Sequence, residues 1–255
     1  MDFGWKSRLG NSVIIPILKE LIPDGIEYGT MLLAEFEPDS IWYDASLTMA
    51  AQALRNGIKT DYHTFQRNPS EVGRAIARFG LDVRKLQEDG LFRIIDSYTV
   101  QTGLGEPEKP RRGDQGMLTL TQSVRLSDWS IAAVQAIKTG VPELERSRFH
   151  IDDDTSVLLQ YNAEKVFIDY WRTRTLPTAR ARETAFLNSA VVGVCSEAFY
   201  RQFESLCDGI IEFKREETGG TTNHLVRVKA MRGRKYDPQW HRLIVGENLE
   251  VILEK

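Results

Sequence analysis

The sequence predicts an α/β sandwich in which a mostly parallel sheet ends in antiparallel strands. Apolar runs of strand length alternate with segments of helical period from Gly29 to Leu206. Strands joined by helices of this length are βαβ units, whose strands run parallel and whose crossovers are right-handed. From Gly209 onward the runs are short, partly alternating and separated by glycine turns, which is the pattern of an antiparallel meander.

The first buried strand is MLLAEF, opened by Gly29-Thr30. The helix after it places Leu47, Ala50, Ala51 and Leu54 at i, i+3, i+4 and i+7, with Asp44 as its N-cap and Gly57 past its end. Thr60 to Phe65 reads as the next strand. A helix then runs from Pro69 to Phe79, with proline in its first turn and Gly80 ending it. Leu91 to Ser97 is the third strand. Residues 103–116, rich in Gly, Pro and charge, read as a mobile surface loop.

Ser127 is placed to cap a helix whose apolar face is Trp129, Ala132, Ala133, Ala136 and Ile137. Phe149 to Leu159 reads as a strand ending in acids, then a turn and a second helix entry. A helix from Ala163 to Arg172 stops before Pro177. Phe186 to Val194 is another buried strand, followed by a helix from Glu197 to Leu206. Gly209–Phe213, Leu225–Val228, Leu243–Val245 and Leu249–Leu253 make up the meander. The expectation is one domain over 1–255, with an N-terminal segment at 1–24 and antiparallel strands at 209–255.

Composition narrows the function classes. The 255 residues are 42% hydrophobic and 27% charged, enough to bury roughly three quarters of the unfolded surface without disulfide or metal. A net charge of −3 gives no whole-protein basic field for nucleic acid or membrane. Cys195 and Cys207 form no CxxC pair and read as reduced thiols. No run of about eighteen apolar residues exists to span a bilayer, and the N-terminus lacks a clean signal-peptide pattern. The expected address is the cytoplasm.

Several strings carry a resemblance: GTMLL, then QALRNGIKTDYHTF, RFGLDVRKLQEDGLFRIID, DGIIEF and VKAMRGRKYDPQWHRLIV. Together they cover nearly the whole chain, which resembles the KaiC/RadA branch of the RecA-like ATPases. The resemblance implies a RecA-like P-loop NTPase-type three-layer sandwich, ATP with Mg²⁺ as cofactor, and ring assembly.

Four working parts of that family can be compared with the chain. A P-loop needs small residues so that backbone N–H groups wrap phosphates, with a lysine and a hydroxyl reaching the γ-phosphate and Mg²⁺. The corresponding stretch, residues 35–46, includes Glu35, Phe36, Pro38, Asp39, Ser40, Trp42, Tyr43 and Ser46 and contains no glycine or lysine. Its carboxylates Glu35, Glu37, Asp39 and Asp44 would repel a triphosphate; at ~4 Å and a dielectric near 20 each like-charge contact costs about 4 kcal/mol. Where the family has a glutamate as catalytic base, this chain has Gln66 and Arg67, neither of which takes a proton near neutrality.

Asp152-Asp153-Asp154 follows a strand in a Walker B-like arrangement, and Asp153 is the best match for the Mg²⁺ carboxylate. In the bland reading one of these acids caps a turn and the others are solvated. The K-x-R-G string that reaches a neighbour's nucleotide keeps Arg232 but has Ala230 at the lysine position. The expected function is therefore a catalytically silent RecA/KaiC-like domain, without cofactor, that regulates or scaffolds through self-association or by docking on an active relative. Two alternatives stand: a KaiC-like ATPase in signal transduction with a rebuilt nucleotide site, and a DNA-binding recombination accessory protein. The latter draws on Arg227, Lys229, Arg232, Arg234, Lys235 and Arg242, interleaved with Tyr236, Trp240 and His241, and on Arg172, Arg174, Arg180 and Arg182. His63 and His150, both near strand ends, are placed to approach each other, and Cys195 lies where an active-site rim can form.

Overall fold

The computed structural model describes residues 12–103, 110–112, 118–130 and 146–254. A short pair, β1 (Ser12–Val13) and β2 (Ile26–Glu27), precedes β3 (Met31–Phe36), α1 (Trp42–Arg55), β4 (Thr60–Thr64), α2 (Pro69–Arg78), α3 (Val83–Glu88) and β5 (Phe92–Asp96). Next come α4 (Tyr98–Gln101), β6 (Pro110–Arg112), β7 (Leu118–Thr121) and β8 (Phe149–Asp152). A helical stretch follows as α5 (Glu164–Tyr170), a π-helical turn (Trp171–Thr175) and α6 (Leu176–Ala181). The chain then forms β9 (Ala185–Val191), α7 (Glu197–Leu206), β10 (Gly209–Thr218), β11 (Thr221–Met231), β12 (His241–Val245) and β13 (Val251–Leu253).

Among the described residues, eleven strands form one sheet in the order β13-β12-β11-β10-β3-β9-β8-β4-β5-β7-β6. From β10 through β7 neighbouring strands run parallel. The antiparallel strands lie at the two edges, β11 to β13 on one side and β6 on the other. β10 is the seam: Gly209 to Phe213 pair in parallel with β3 while the whole strand pairs antiparallel with β11. The run at Gly209 is thus the last parallel strand as well as the first of the meander.

The central strands are covered on both faces, which is why β3 reads as an unbroken apolar run. Leu32, Ala34 and Phe36 pack with α1, α2, Tyr62, Ile94 and Ile151 on one face. Met31 and Leu33 face Phe65, Trp171, Phe199 and Phe203 on the other. Asn68 caps α2 by accepting from Ser70 N at 2.9 Å, and Gly80 just beyond its end adopts a φ of +77°, open to glycine at little cost.

Several sequence expectations need correction. α1 begins at Trp42, so Asp44 lies inside its first turn and is no N-cap. Within 103–116 the described residues Pro110–Arg112 are an edge strand paired with β7, not loop; residues 104–109 and 113–117 lie outside the described residues. Ser127 lies within a helix that has begun by residue 126; Ser123 Oγ accepts from Arg125 N at 3.0 Å just ahead of it. Ala132, Ala133, Ala136 and Ile137 of its expected apolar face lie outside the described residues, as do residues 1–11 of the N-terminal segment. Helical structure does not stop before Pro177, because the proline sits in the first turn of α6 after the π turn, a position that needs no N–H. α3 and α4 were too short to show a helical period.

A buried asparagine on a central strand stands out. Asn188 of β9 is fully buried; its Oδ1 accepts from Trp171 Nε1 at 2.7 Å and its Nδ2 donates to Leu32 O at 3.0 Å. The amide thus ties the π turn to β3 across the sheet. Asn188→Leu keeps the volume but leaves the indole N–H without an acceptor in the core. It is expected to lower unfolding stability by about 1–3 kcal/mol, read by urea denaturation; an unchanged midpoint would show that this tie contributes nothing.

Candidate functional site

The turn from β3 into α1, residues 37–41, is closed by aromatic packing. The Trp42 ring is fully buried; it stacks on Phe36 with centroids 5.6 Å apart and meets Phe213 of β10 edge-on at 5.0 Å. Its Nε1 donates to Asp153 O at 2.7 Å, so the start of α1 is pinned to the end of β8. Tyr43 packs edge-on against Phe36, and the Arg67 guanidinium lies 5.1 Å over the Tyr43 ring. Ser46 Oγ is 2.8 Å from Tyr62 OH beneath the helix. Pro38 lies within the turn, where Ser40 N donates to Glu37 O at 3.0 Å.

The acids of this turn are engaged locally. Glu37 accepts from Arg215 N at 2.9 Å, and Asp39 pairs with the Arg215 guanidinium at 2.7 Å. Glu35 lies on the opposite face of β3, where its carboxylate meets Lys229 Nζ at 3.1 Å. Burial pushes the Glu35 carboxyl up to about 7 despite the opposing Lys229 charge. Of the four carboxylates expected to repel a triphosphate, Glu35 faces α7, and Glu37 and Asp39 are held by Arg215.

The three aspartates after β8 divide the work. Asp153 is fully buried; its carboxylate accepts from Phe65 N at 2.7 Å and lies 2.9 Å from the Thr64 hydroxyl. Burial raises it to about 7, against the pull of those hydrogen bonds. Asp154 caps the following turn by accepting from Ser156 N at 3.0 Å, and takes a second hydrogen bond from Gln66 Nε2 at 3.0 Å. Gln66 therefore anchors β4 to that turn. Only the capping half of the bland reading survives, since Asp152 and Asp153 are buried rather than solvated.

On the other face of β4 and β8 lies a polar network that sequence reasoning reached only in part. Register sets Asp61 beside His150 and His63 beside Asp152. Arg148, only 2% exposed, donates to Asp61 Oδ1 at 2.7 Å, and Arg93 closes on Asp61 Oδ2 at 2.6 Å. Burial works to raise Asp61, but the neighbouring His150 at 3.8 Å, the hydrogen bonds from Arg93 and the charges of Arg93 and Arg148 hold it well below the usual carboxylate range. His150 Nε2 lies 3.0 Å and His63 Nδ1 3.1 Å from the same oxygen of Asp152. Burial disfavours the His150 cation, yet Asp152 and Asp61 raise it to about 9; His63, dominated by burial, is lowered. The expected approach of the two histidines is present, with ring centroids 6.0 Å apart. Asp61, Arg148 and Ser97 were missed, because their part depends on strand register.

Arg232 lies elsewhere. With Tyr28, Thr30, Arg180, Asp208 and Met231 it lines a cavity of about 230 Å³ at the end of the sheet where β3 begins, opposite the end where Asp153 follows β8. One chain does not bring Asp153 and Arg232 together. The basic cluster is paired with acids from neighbouring segments: Arg227 with Glu212, Lys229 with Glu35, Glu204 and Glu212, Arg234 with Glu27, and Arg242 with Glu254. Trp240 is covered by Lys214 and Arg227 at 4.3 and 4.5 Å. In the second patch Arg172 pairs with Asp169, and Arg180 lies 3.8 Å from Asp208. Burial raises both thiols, Cys195 and Cys207, away from the thiolate form. No helix among the described residues is long and apolar enough to cross a membrane.

Strand order, parallel crossovers and a β3–turn–α1 unit facing acids at the end of β8 define an α/β sandwich of the RecA type. A family model described as the KaiC ATPase matches residues 15–255, and the chain belongs to that family. It is 23% identical to a UPF0273 protein of Methanocaldococcus jannaschii over 94% of this chain and 95% of the relative. A UPF0273 protein of Aeropyrum pernix is 24% identical over 89% and 86% of the two chains. The crystal structure of a KaiC-like protein from Pyrococcus horikoshii superposes with a TM-score of 0.66 at 17% identity, covering 96% of this chain and 98% of that one, a likeness of fold.

Two outcomes follow for this region. Trp42→Ala empties a closed aromatic cluster and is expected to cost about 3–5 kcal/mol in chemical denaturation, with Trp42→Phe losing less; equal midpoints for all three proteins would contradict the packing. The folded state holds the Glu35 proton more tightly than the unfolded chain, so this stabilisation is complete below the unfolded value of 4.5 and is lost as pH rises through about 7. Melting of Glu35→Gln should therefore gain on the parent protein as pH is raised across that window; parallel curves would contradict the assignment.

Proposed function

We propose that this KaiC-family chain is a catalytically silent domain that regulates or scaffolds, by self-association or by docking on an active relative. The carrying observation is the Trp42 indole, buried between Phe36 and Phe213 and bonded to Asp153 O at the turn where the family cradles phosphate. That turn offers no glycine to free backbone N–H groups and no lysine to meet a γ-phosphate. The residues do not fit a magnesium nucleotide. Asp153, the metal-carboxylate candidate, is already occupied by Phe65 N and Thr64, and burial raises it to about 7. Gln66 is spent on Asp154, and Arg67 covers Tyr43. Docking is supported by Val245, Leu249 and Ile252, exposed apolar residues at and beside β13, the terminal strand of the sheet among the described residues. The DNA reading loses support because Arg227, Lys229, Arg234 and Arg242 are paired with the protein's own acids.

The test is thermal unfolding with Mg-ATP and with Mg-ADP. A nucleotide at one hundred times its dissociation constant adds about 2.7 kcal/mol to the folded state. No rise in melting temperature with either nucleotide is expected, together with a mass above the monomer in light scattering. A saturable rise with Mg-ATP would overturn catalytic silence and promote the ATPase with a rebuilt site.

A further inference from the structure

We infer that His63, His150 and Asp152 form a binding site for one first-row divalent cation, of which zinc is the representative. One ligand atom from each of His63, His150 and Asp152 lies within 4.8 Å of the other two, and all three residues are buried. Two separations are shorter still, 3.1 Å for His63 to Asp152 and 3.0 Å for His150 to Asp152. Tetrahedral zinc with N and O bonds near 2.0–2.1 Å sets its ligand atoms about 3.3 Å apart. The three atoms therefore stand near ligand spacing already. Two imidazoles with one carboxylate suit zinc and its first-row neighbours.

Proton counting supports the cation. The ionised Asp152 carboxylate only accepts, so each histidine facing it directly must present an N–H. If His63 carries its proton on Nδ1, its Nε2 must accept from Ser97 Oγ, 2.8 Å away. Yet Ser97 has one hydroxyl proton, and Gln122 O stands 3.1 Å off to receive it. A neutral His63 thus leaves the chain His63–Ser97–Gln122 one proton short. A cation among the three inner atoms resolves this. His63 Nδ1 then gives its lone pair to the metal, Nε2–H donates to Ser97, and Ser97 donates to Gln122.

Metal-bound histidines have the distal nitrogen held by a polar outer group, as Ser97 holds His63 Nε2 here. Asp61 Oδ2 lies 3.8 Å from His150 Nδ1 and Ser97 Oγ holds His63. Rings of Phe65 and Phe186, each centred 4.1 Å from a histidine, wall the cluster. The site lies on the sheet face away from Trp42 and stands independently of the nucleotide reading.

The experiment is a cobalt(II) titration of the chelator-treated full chain, followed by visible d–d absorption and by competition with zinc. One equivalent should produce the bands of four- or five-coordinate cobalt, and zinc should remove them. His63→Ala and His150→Ala should abolish them, while His241→Ala, outside the cluster, keeps them. Ser97→Ala retains every inner ligand and serves if a histidine variant fails to fold; it should bind about 10–100-fold more weakly. Absence of bands in the parent protein, bands surviving both histidine variants, or unchanged affinity in Ser97→Ala would overturn the site.

Discussion

The hydrogen bond from the Trp42 indole to the Asp153 carbonyl joins the first turn of α1 to the end of β8, two elements 111 residues apart in sequence. Much of this end of the sheet follows from it. With the indole so placed, Phe36 stacks on it and Phe213 meets it edge-on at the turn between β3 and α1. Asp153, held from behind by Trp42, can turn its carboxylate only toward the Phe65 amide and Thr64. A small residue at position 42 would release both constraints together. The packing of the turn also buries Asp153, and that burial raises its proton affinity against the pull of the Phe65 and Thr64 hydrogen bonds.

The sheet faces divide the chemistry. On β4 and β8, Tyr62 and Ile151 belong to the apolar layer under α1 and α2, while Asp61, His63, His150 and Asp152 point the other way. Burying so many titratable groups is tolerable because nearly every one has a partner of opposite charge. Arg148 shows the logic most plainly: its guanidinium is 2% exposed and spends donors on Asp61, Gly90 O and Thr60 O.

Legibility from sequence followed the range of the interactions. β3, β4, β5 and α2 were readable because their apolar runs, proline and terminal glycine act within a few residues. The resemblance strings named the fold family because they are local too. Charge pairing was not readable: Lys229 looks like part of a basic run until β10 and α7 bring Glu212 and Glu204 to it. The same is true of Glu35, whose place on the far face of β3 depends on strand alternation. Asp154 as a turn cap was foreseeable from the Asp-x-Ser spacing, whereas burial of Asp152 and Asp153 required knowing that helices cover both sides of β8. The link between α5 and α6 was misread because a proline normally stops a helix, and nothing local shows that a wider turn has absorbed it.

That wider turn has its own consequence. Trp171–Thr175 departs from α-helical winding, so the segment carries extra chain at one level of the axis. Each α-helical residue advances the azimuth by about 100°, and the wider coil absorbs an extra residue locally, so that Phe167 before it and Ala179 after it both face the interior. The coil works as an angular spacer. A residue gained or lost in the regular α-helical turns on either side has no such absorber and would rotate the chain beyond it by about 100°.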